Sequence, residues 1–231
     1  MSPNYGPRRD GARPSLVVIH YTAMQSANAA LKTLCDPVSE VSAHYLIAPD
    51  GEVLSLVPED LRAWHAGAGA WGSVTDVNSY SIGIELANDG FSPFAAPLMD
   101  ALVDLLKGIK ARWDIQPDRV IGHSDMAPGR KTDPGPRFDW RRLARQGLSV
   151  WPSSSACAPS SEEGAQALDH ALFGAAMQAF GCTATDDPDL LLRTFRLRFR
   201  PGHRGPLDAV DLAMINDLAK RFPVDVNAAW A

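Results

Sequence analysis

The chain has 231 residues, a net charge of -5 and a 45% hydrophobic content, enough for one good-sized domain and a small second one. Its mild acidity offers no basic stripe for phosphates, which argues against a nucleic-acid partner, and no apolar run approaches the roughly 20 residues of a transmembrane helix. Residues 1–10 are polar with no apolar signal core behind them, so the chain is expected in the cytoplasm unless a leader has been removed. The cysteines Cys35, Cys157 and Cys182 are odd in number and far apart, which excludes a disulfide framework and a Cys-x-x-Cys metal pair.

Ser15 to His20 is a short β-branched run and reads as a strand buried on both faces, with His20 where the chain leaves the sheet. Ser26 to Leu34 reads as a short helix. Val41 to Ala48 and Glu52 to Val57 flank an Asp-Gly pair and read as a β-hairpin. Trp64 to Trp71 is rich in glycine and alanine and reads as a loop. In Ser81 to Ala87, Ile82, Ile84 and Leu86 face one way and Ser81, Gly83, Glu85 and Ala87 the other. Glu85 is then the large group on a face of small neighbours, a face that leaves space for a ligand. Pro97 to Trp113 has the three-and-four spacing of an amphipathic helix. Arg119 to His123 reads as a second strand ending in histidine, and Asp139 as the cap of a helix through Arg145.

A serine- and proline-rich stretch follows, and three helical patterns lie beyond it, over 165–180, 188–199 and 207–222. The expected fold is α/β: a mixed central β-sheet flanked by helices, plus a small C-terminal three-helix domain. The expected boundaries are 1–147 for the first domain, 148–164 for the linker and 165–231 for the helical domain.

The densest chemistry lies in Gly122 to Trp140, where His123, Lys131 and Asp133 stand among Pro128, Pro134 and Pro136. With His20 this segment offers two imidazoles and a carboxylate, which is a ligand set for zinc with one position left open for water. A hydrolase also needs a proton carrier and an oxyanion partner. Glu85 and Lys131 are the candidates for these catalytic roles. Each has a plainer alternative: Glu85 as a salt-bridge partner, Lys131 as a solvated loop lysine. His44, inside the hairpin, reads first as a structural hydrogen-bonding residue. His170 and His203 read as structural too.

Several pieces occur together and in order: Val18-Ile-His-Tyr-Thr-Ala23, Val41-Ser-Ala-His-Tyr-Leu-Ile47, Trp64-His-Ala-Gly67, Ser81-Ile-Gly-Ile-Glu85 and Gly122 through Trp140. In these the chain resembles the type-2 N-acetylmuramoyl-L-alanine amidases, whose fold is shared with peptidoglycan recognition proteins. The resemblance covers about the first 145 residues. It implies a Zn2+ enzyme that cuts the amide between N-acetylmuramic acid, or its 1,6-anhydro form, and L-alanine, acting on peptidoglycan or muropeptides. It implies that His20, His123 and Asp133 are the metal ligands, that Glu85 and Lys131 are catalytic, and that His65 lines the substrate cleft. Trp64, Asn78 and Arg130 join His65 as candidate substrate-binding residues. Some phage relatives carry a tyrosine where this chain has Ala43, and here Glu85 stands in the family's alternative position. Residues 191–201 and the turn after them resemble a three-helix peptidoglycan-binding domain more loosely. The rival expectations are a recognition module that binds muropeptides without cutting them, and a peptidase; the sequence has no His-Glu-x-x-His helix to support the latter.

Overall fold

A computed structural model describes residues 1–157 and 169–225. The first elements are β1 (Tyr5–Pro7), β2 (Leu16–Tyr21), α1 (Ala27–Leu34), β3 (Tyr45–Ile47), β4 (Val53–Ser55), β5 (Leu61–Ala63), α2 (Val77–Tyr80) and β6 (Ser81–Leu86). They are followed by α3 (Ala96–Trp113), β7 (Val120–Gly122), α4 (His123–Met126), α5 (Trp140–Arg145), α6 (His170–Phe180), α7 (Pro188–Phe199) and α8 (Ala209–Arg221). The main sheet has the order β4-β3-β6-β2-β7. Its strands run parallel except β4, which pairs antiparallel with β3. The sheet is mixed and flanked by helices, as the alternation of patterns implied.

The alternation along β2 and β6 divides the core. Val17, Ile19, Ile82, Ile84 and Leu86 face α3 and pack on Leu98, Leu102, Leu106 and Ile109. Leu16, Val18 and Ile121 face the other way and share one core with Phe173, Phe180, Phe195, Phe199 and Leu218 of the C-terminal helices. Helices α6 to α8 therefore form the second layer over the sheet. The boundary expected between 1–147 and 165–231 does not divide this core. Part of the expected linker (158–164), the expected start of the first C-terminal helix (165–168) and residues 226–231 lie outside the described residues.

Local chemistry sets the ends of the elements. Ser26 caps α1 by accepting from the Ala29 amide, and Asp139 caps α5 by accepting from that of Arg142. The hairpin strands are shorter than expected, because the Ser42 amide bonds the Trp64 carbonyl and the Leu56 amide bonds that of His44. His123 does not end a strand: β7 stops at Gly122, and His123 opens the short helix α4. Gly122 is required there, since a Cβ would come within 2.8 Å of Pro134 Cδ and 3.2 Å of Trp140 Cζ2. Among the described residues no helix is long and apolar enough to cross a membrane.

Candidate metal and catalytic site

The central strand β2 runs between β6 and β7, and all three are parallel, so their C-terminal ends open on one edge. That edge is where open α/β sheets place ligands. His20 stands opposite Glu85 in the β2–β6 register, and Ile19 opposite Gly122 in the β2–β7 register, which brings His123 alongside. Asp133 returns on the proline-rich loop, tied by the Ser124 amide to the Asp133 carbonyl at 2.9 Å.

His20 Nδ1 and His123 Nδ1 lie 2.9 Å apart, and each lies 3.0 Å from Asp133 Oδ2. All three residues are buried. Hydrogen bonds on the far side of each ring assign the protons. The Ser81 hydroxyl donates to the Val77 carbonyl at 2.5 Å, so Ser81 Oγ accepts from His65 Nε2 at 3.1 Å. His65 Nδ1 then accepts from His20 Nε2 at 3.0 Å. His123 Nε2 donates to the Ala66 carbonyl at 2.8 Å. Both Nδ1 atoms are left with lone pairs, and both face a carboxylate oxygen. Three acceptors converge with no donor between them, and a cation resolves that arrangement. Tetrahedral zinc with ligand bonds of about 2.0–2.1 Å needs ligand atoms roughly 3.3 Å apart, close to the spacing seen. Two imidazoles and one carboxylate are also a donor set that zinc accepts.

The charge states suit this. Burial and the neighbouring His123 lower the His20 pKa to about 4, so the ring is neutral at pH 7. Burial, together with the Asp133 charge, lifts Glu85 to about 8, against the opposing pull of Lys131. Glu85 Oε2 is buried with no hydrogen-bond partner.

A cleft of about 340 Å³ opens over these groups, with Trp64, His65, Glu85, Arg130, Lys131 and Thr132 among its walls. His65 lies beneath His20 as much as beside the cleft, because its ring fills the space over Gly83, where a Cβ would collide with it. The space expected above the small-residue face of β6 is thus taken by His65. Asn78 does not line the cleft: its Oδ1 accepts from the amides of His65 and Ala66 at 3.0 and 2.8 Å, which fixes the loop and corrects its reading as a substrate contact. Arg130 lines the cleft, and its Nη2 donates to the carbonyls of Ala66 (2.7 Å) and Ala68. His44 is structural, accepting from the Gly83 amide at Nδ1 and donating to the Leu61 carbonyl at Nε2. Sequence reasoning missed Ser81 and the Ala66 carbonyl as the groups that orient the imidazoles. Ser81 did carry a signal, since it sits on the same face of β6 as Glu85.

A family model described as N-acetylmuramoyl-L-alanine amidase matches residues 10–136. The N-acetylmuramoyl-L-alanine amidase AmiD of Escherichia coli is 44% identical over 158 residues, which cover 62% of this chain and 56% of that protein's length. The 1,6-anhydro-N-acetylmuramyl-L-alanine amidase AmpD of Escherichia coli is 38% identical over 163 residues, covering 62% of this chain and 87% of that one. The solved structure of AmiD, in complex with the substrate anhydro-N-acetylmuramic acid-L-Ala-D-gamma-Glu-L-Lys, superposes with a TM-score of 0.82 at 33% identity. It covers 96% of this chain and 93% of its own, so the likeness includes the C-terminal helices. On the family match and on these relatives, the chain belongs to the N-acetylmuramoyl-L-alanine amidase family.

Proposed function

We propose that this chain is a zinc hydrolase that cuts the amide between N-acetylmuramic acid, or its 1,6-anhydro form, and L-alanine in peptidoglycan fragments. The observation that carries this reading is the convergence of His20 Nδ1, His123 Nδ1 and Asp133 Oδ2 within 3.0 Å, with the buried, unpartnered Oε2 of Glu85 on the neighbouring strand. Zinc held by these three residues would supply Lewis acidity and a nucleophilic water at neutral pH. Glu85 takes the proton from the attacking water and returns it to the leaving nitrogen. Burial pushes the Glu85 carboxyl above the ordinary carboxylate range, which suits a group that both accepts and releases a proton near neutral pH. The Lys131 ammonium, on the cleft wall, offsets the negative charge that grows on the carbonyl oxygen. Trp64 and Arg130 form the wall against which the substrate lies.

The reading extends to the C-terminal helices through a second cavity of about 660 Å³, which shares Lys131 and Thr132 with the cleft and has Arg193 and Arg204 of the helical layer on its far wall. A peptidoglycan strand longer than the cleft would continue into it. Zinc-loaded protein is incubated with anhydro-muropeptides and with sacculi, and the products are weighed by mass spectrometry. Release of the stem peptide, lost on chelation and restored by zinc, is expected. Intact substrate with loaded protein, or full activity after metal removal, overturns the reading.

A further inference from the structure

The helix that carries His123 is gripped from the far end of the chain. Helix α4 has four residues, too few to hold itself in water, so its orientation depends on outside ties. Asp125 supplies them. Its Oδ2 accepts from the Gly122 amide at 2.8 Å and from Arg198 Nη1 of α7 at 2.5 Å. Arg198 Nη2 reaches Ser149 Oγ at 3.0 Å and the Val120 carbonyl of β7 at 3.3 Å. Its guanidinium carbon lies 4.1 Å from the centre of the Trp140 ring. That ring packs on Gly122 beside Pro134, the neighbour of Asp133. One guanidinium therefore ties α4, the end of β7 and the wall behind the Asp133 loop.

Arg198 is 3% exposed and Asp125 5%. With both partners this deeply buried, breaking the pair leaves a buried charge without its partner. A buried ion pair between distant segments fixes register more than it adds stability, a use attested in other proteins. Outer groups that orient metal ligands act on affinity in the same way.

We propose that Arg198 is a positioning residue for the metal site: through Asp125 it fixes α4 and so aims His123 Nδ1 at His20 and Asp133. This inference rests on the reading of those three residues as metal ligands. It makes the C-terminal layer part of the metal centre rather than a covering for the sheet alone.

The test uses the full chain and zinc alone as the probe. Zinc affinity is measured by competition with a chelator, well below the melting temperature, for wild type, Arg198→Ala, Arg198→Lys, Asp125→Asn and the control Arg196→Lys. Arg196 pairs with Asp211 in the same helical layer and does not touch α4. Arg198→Ala and Asp125→Asn are expected to bind zinc on the order of tenfold more weakly or worse, with Arg198→Lys between them and wild type. Their kcat falls at limiting zinc while KM holds. Arg196→Lys lowers the melting temperature and leaves zinc affinity alone. A folded Arg198→Ala or Asp125→Asn with wild-type zinc affinity overturns the proposal. If these variants do not fold, hydrogen exchange of the wild type decides: coupling is reciprocal, so zinc must slow exchange in α7 more than in α3, and equal effects overturn it. Failure of the wild type to bind zinc overturns the reading of the site instead.

Discussion

His20, His123 and Asp133 bring three ligand atoms within 4.8 Å of one another, and so do His203, Asp208 and Asp211. Distance does not separate the two groups; charge does. In the second, Arg196 and Arg200 lie 2.5 and 2.7 Å from the two oxygens of Asp211, and Arg200 lies 2.6 Å from Asp208. His203 Nε2 sits 2.9 Å from the other Asp208 oxygen. Two guanidiniums already neutralise two carboxylates, and a metal would have to displace them. In the first group, every proton on the imidazoles is directed outward, to His65 and to the Ala66 carbonyl, and the inner face is left to lone pairs. A metal site is recognised by what its donors are not already bonded to.

The difference can be broken most sharply by counting metal. Zinc-loaded protein is expected to hold one zinc per chain by elemental analysis. His20→Ala or Asp133→Ala should lose both the zinc and turnover, whereas His203→Ala should keep both; two zincs in wild type, falling to one in His203→Ala, would erase the contrast. Next in size is Glu85→Gln, which should keep zinc and lose turnover by roughly 10²–10⁴-fold, as for a lost general base. Wild-type turnover in this variant removes Glu85 from the scheme. His65→Ala should weaken zinc binding by about 10–100-fold, the usual loss for an outer hydrogen-bond partner, as read by chelator competition. Arg196→Ala sharpens the other half: it leaves the fully buried Asp211 with Arg200 alone, so thermal or denaturant unfolding should show a loss of stability smaller than the about 3–5 kcal/mol of a fully broken buried pair.

The smallest effect concerns acid stability. Burial would raise Asp208, but Arg200 and the Asp211 amide outweigh it and hold its pKa below the ordinary value. A carboxylate depressed in the folded state stabilises above its unfolded pKa of about 3.9, and that stability is lost as pH falls through the lower folded value. Asp208→Asn should therefore flatten the fall in melting temperature below about pH 4, by well under about 1 kcal/mol, since the group is partly exposed and screened. An unchanged acid limb would show that Arg200 gains nothing from Asp208.

Much of the site was legible because its residues sit on periodic elements. The two-residue alternation in Ser81 to Leu86 placed Glu85 away from Ile82 and Ile84, and the structure packs those isoleucines under α3. His20 at the close of a β-branched run is at the sheet edge for the same reason. Asn78 was not legible: its role comes from a loop carbonyl-and-amide geometry that spacing does not encode. Arg198 carries no role in the sequence reading, where it is one of four arginines at residues 193, 196, 198 and 200. Two of them, Arg196 and Arg198, are buried against aspartates, and only the packing of α7 on the sheet reveals it. Which face of the sheet the C-terminal helices cover was not legible, because Leu16 and Val18 do not announce it.

Gly83 has no side chain, and His65 occupies the space where one would stand. That ring receives the His20 proton and passes its own to Ser81. A methyl group added at Gly83 would displace the ring, interrupt this chain of donors and free His20 to carry its proton on the inner nitrogen. The tautomer of His20 is thus set by a missing carbon atom on a neighbouring strand, and a change from glycine to alanine there would move a proton between two ring nitrogens without changing the charge.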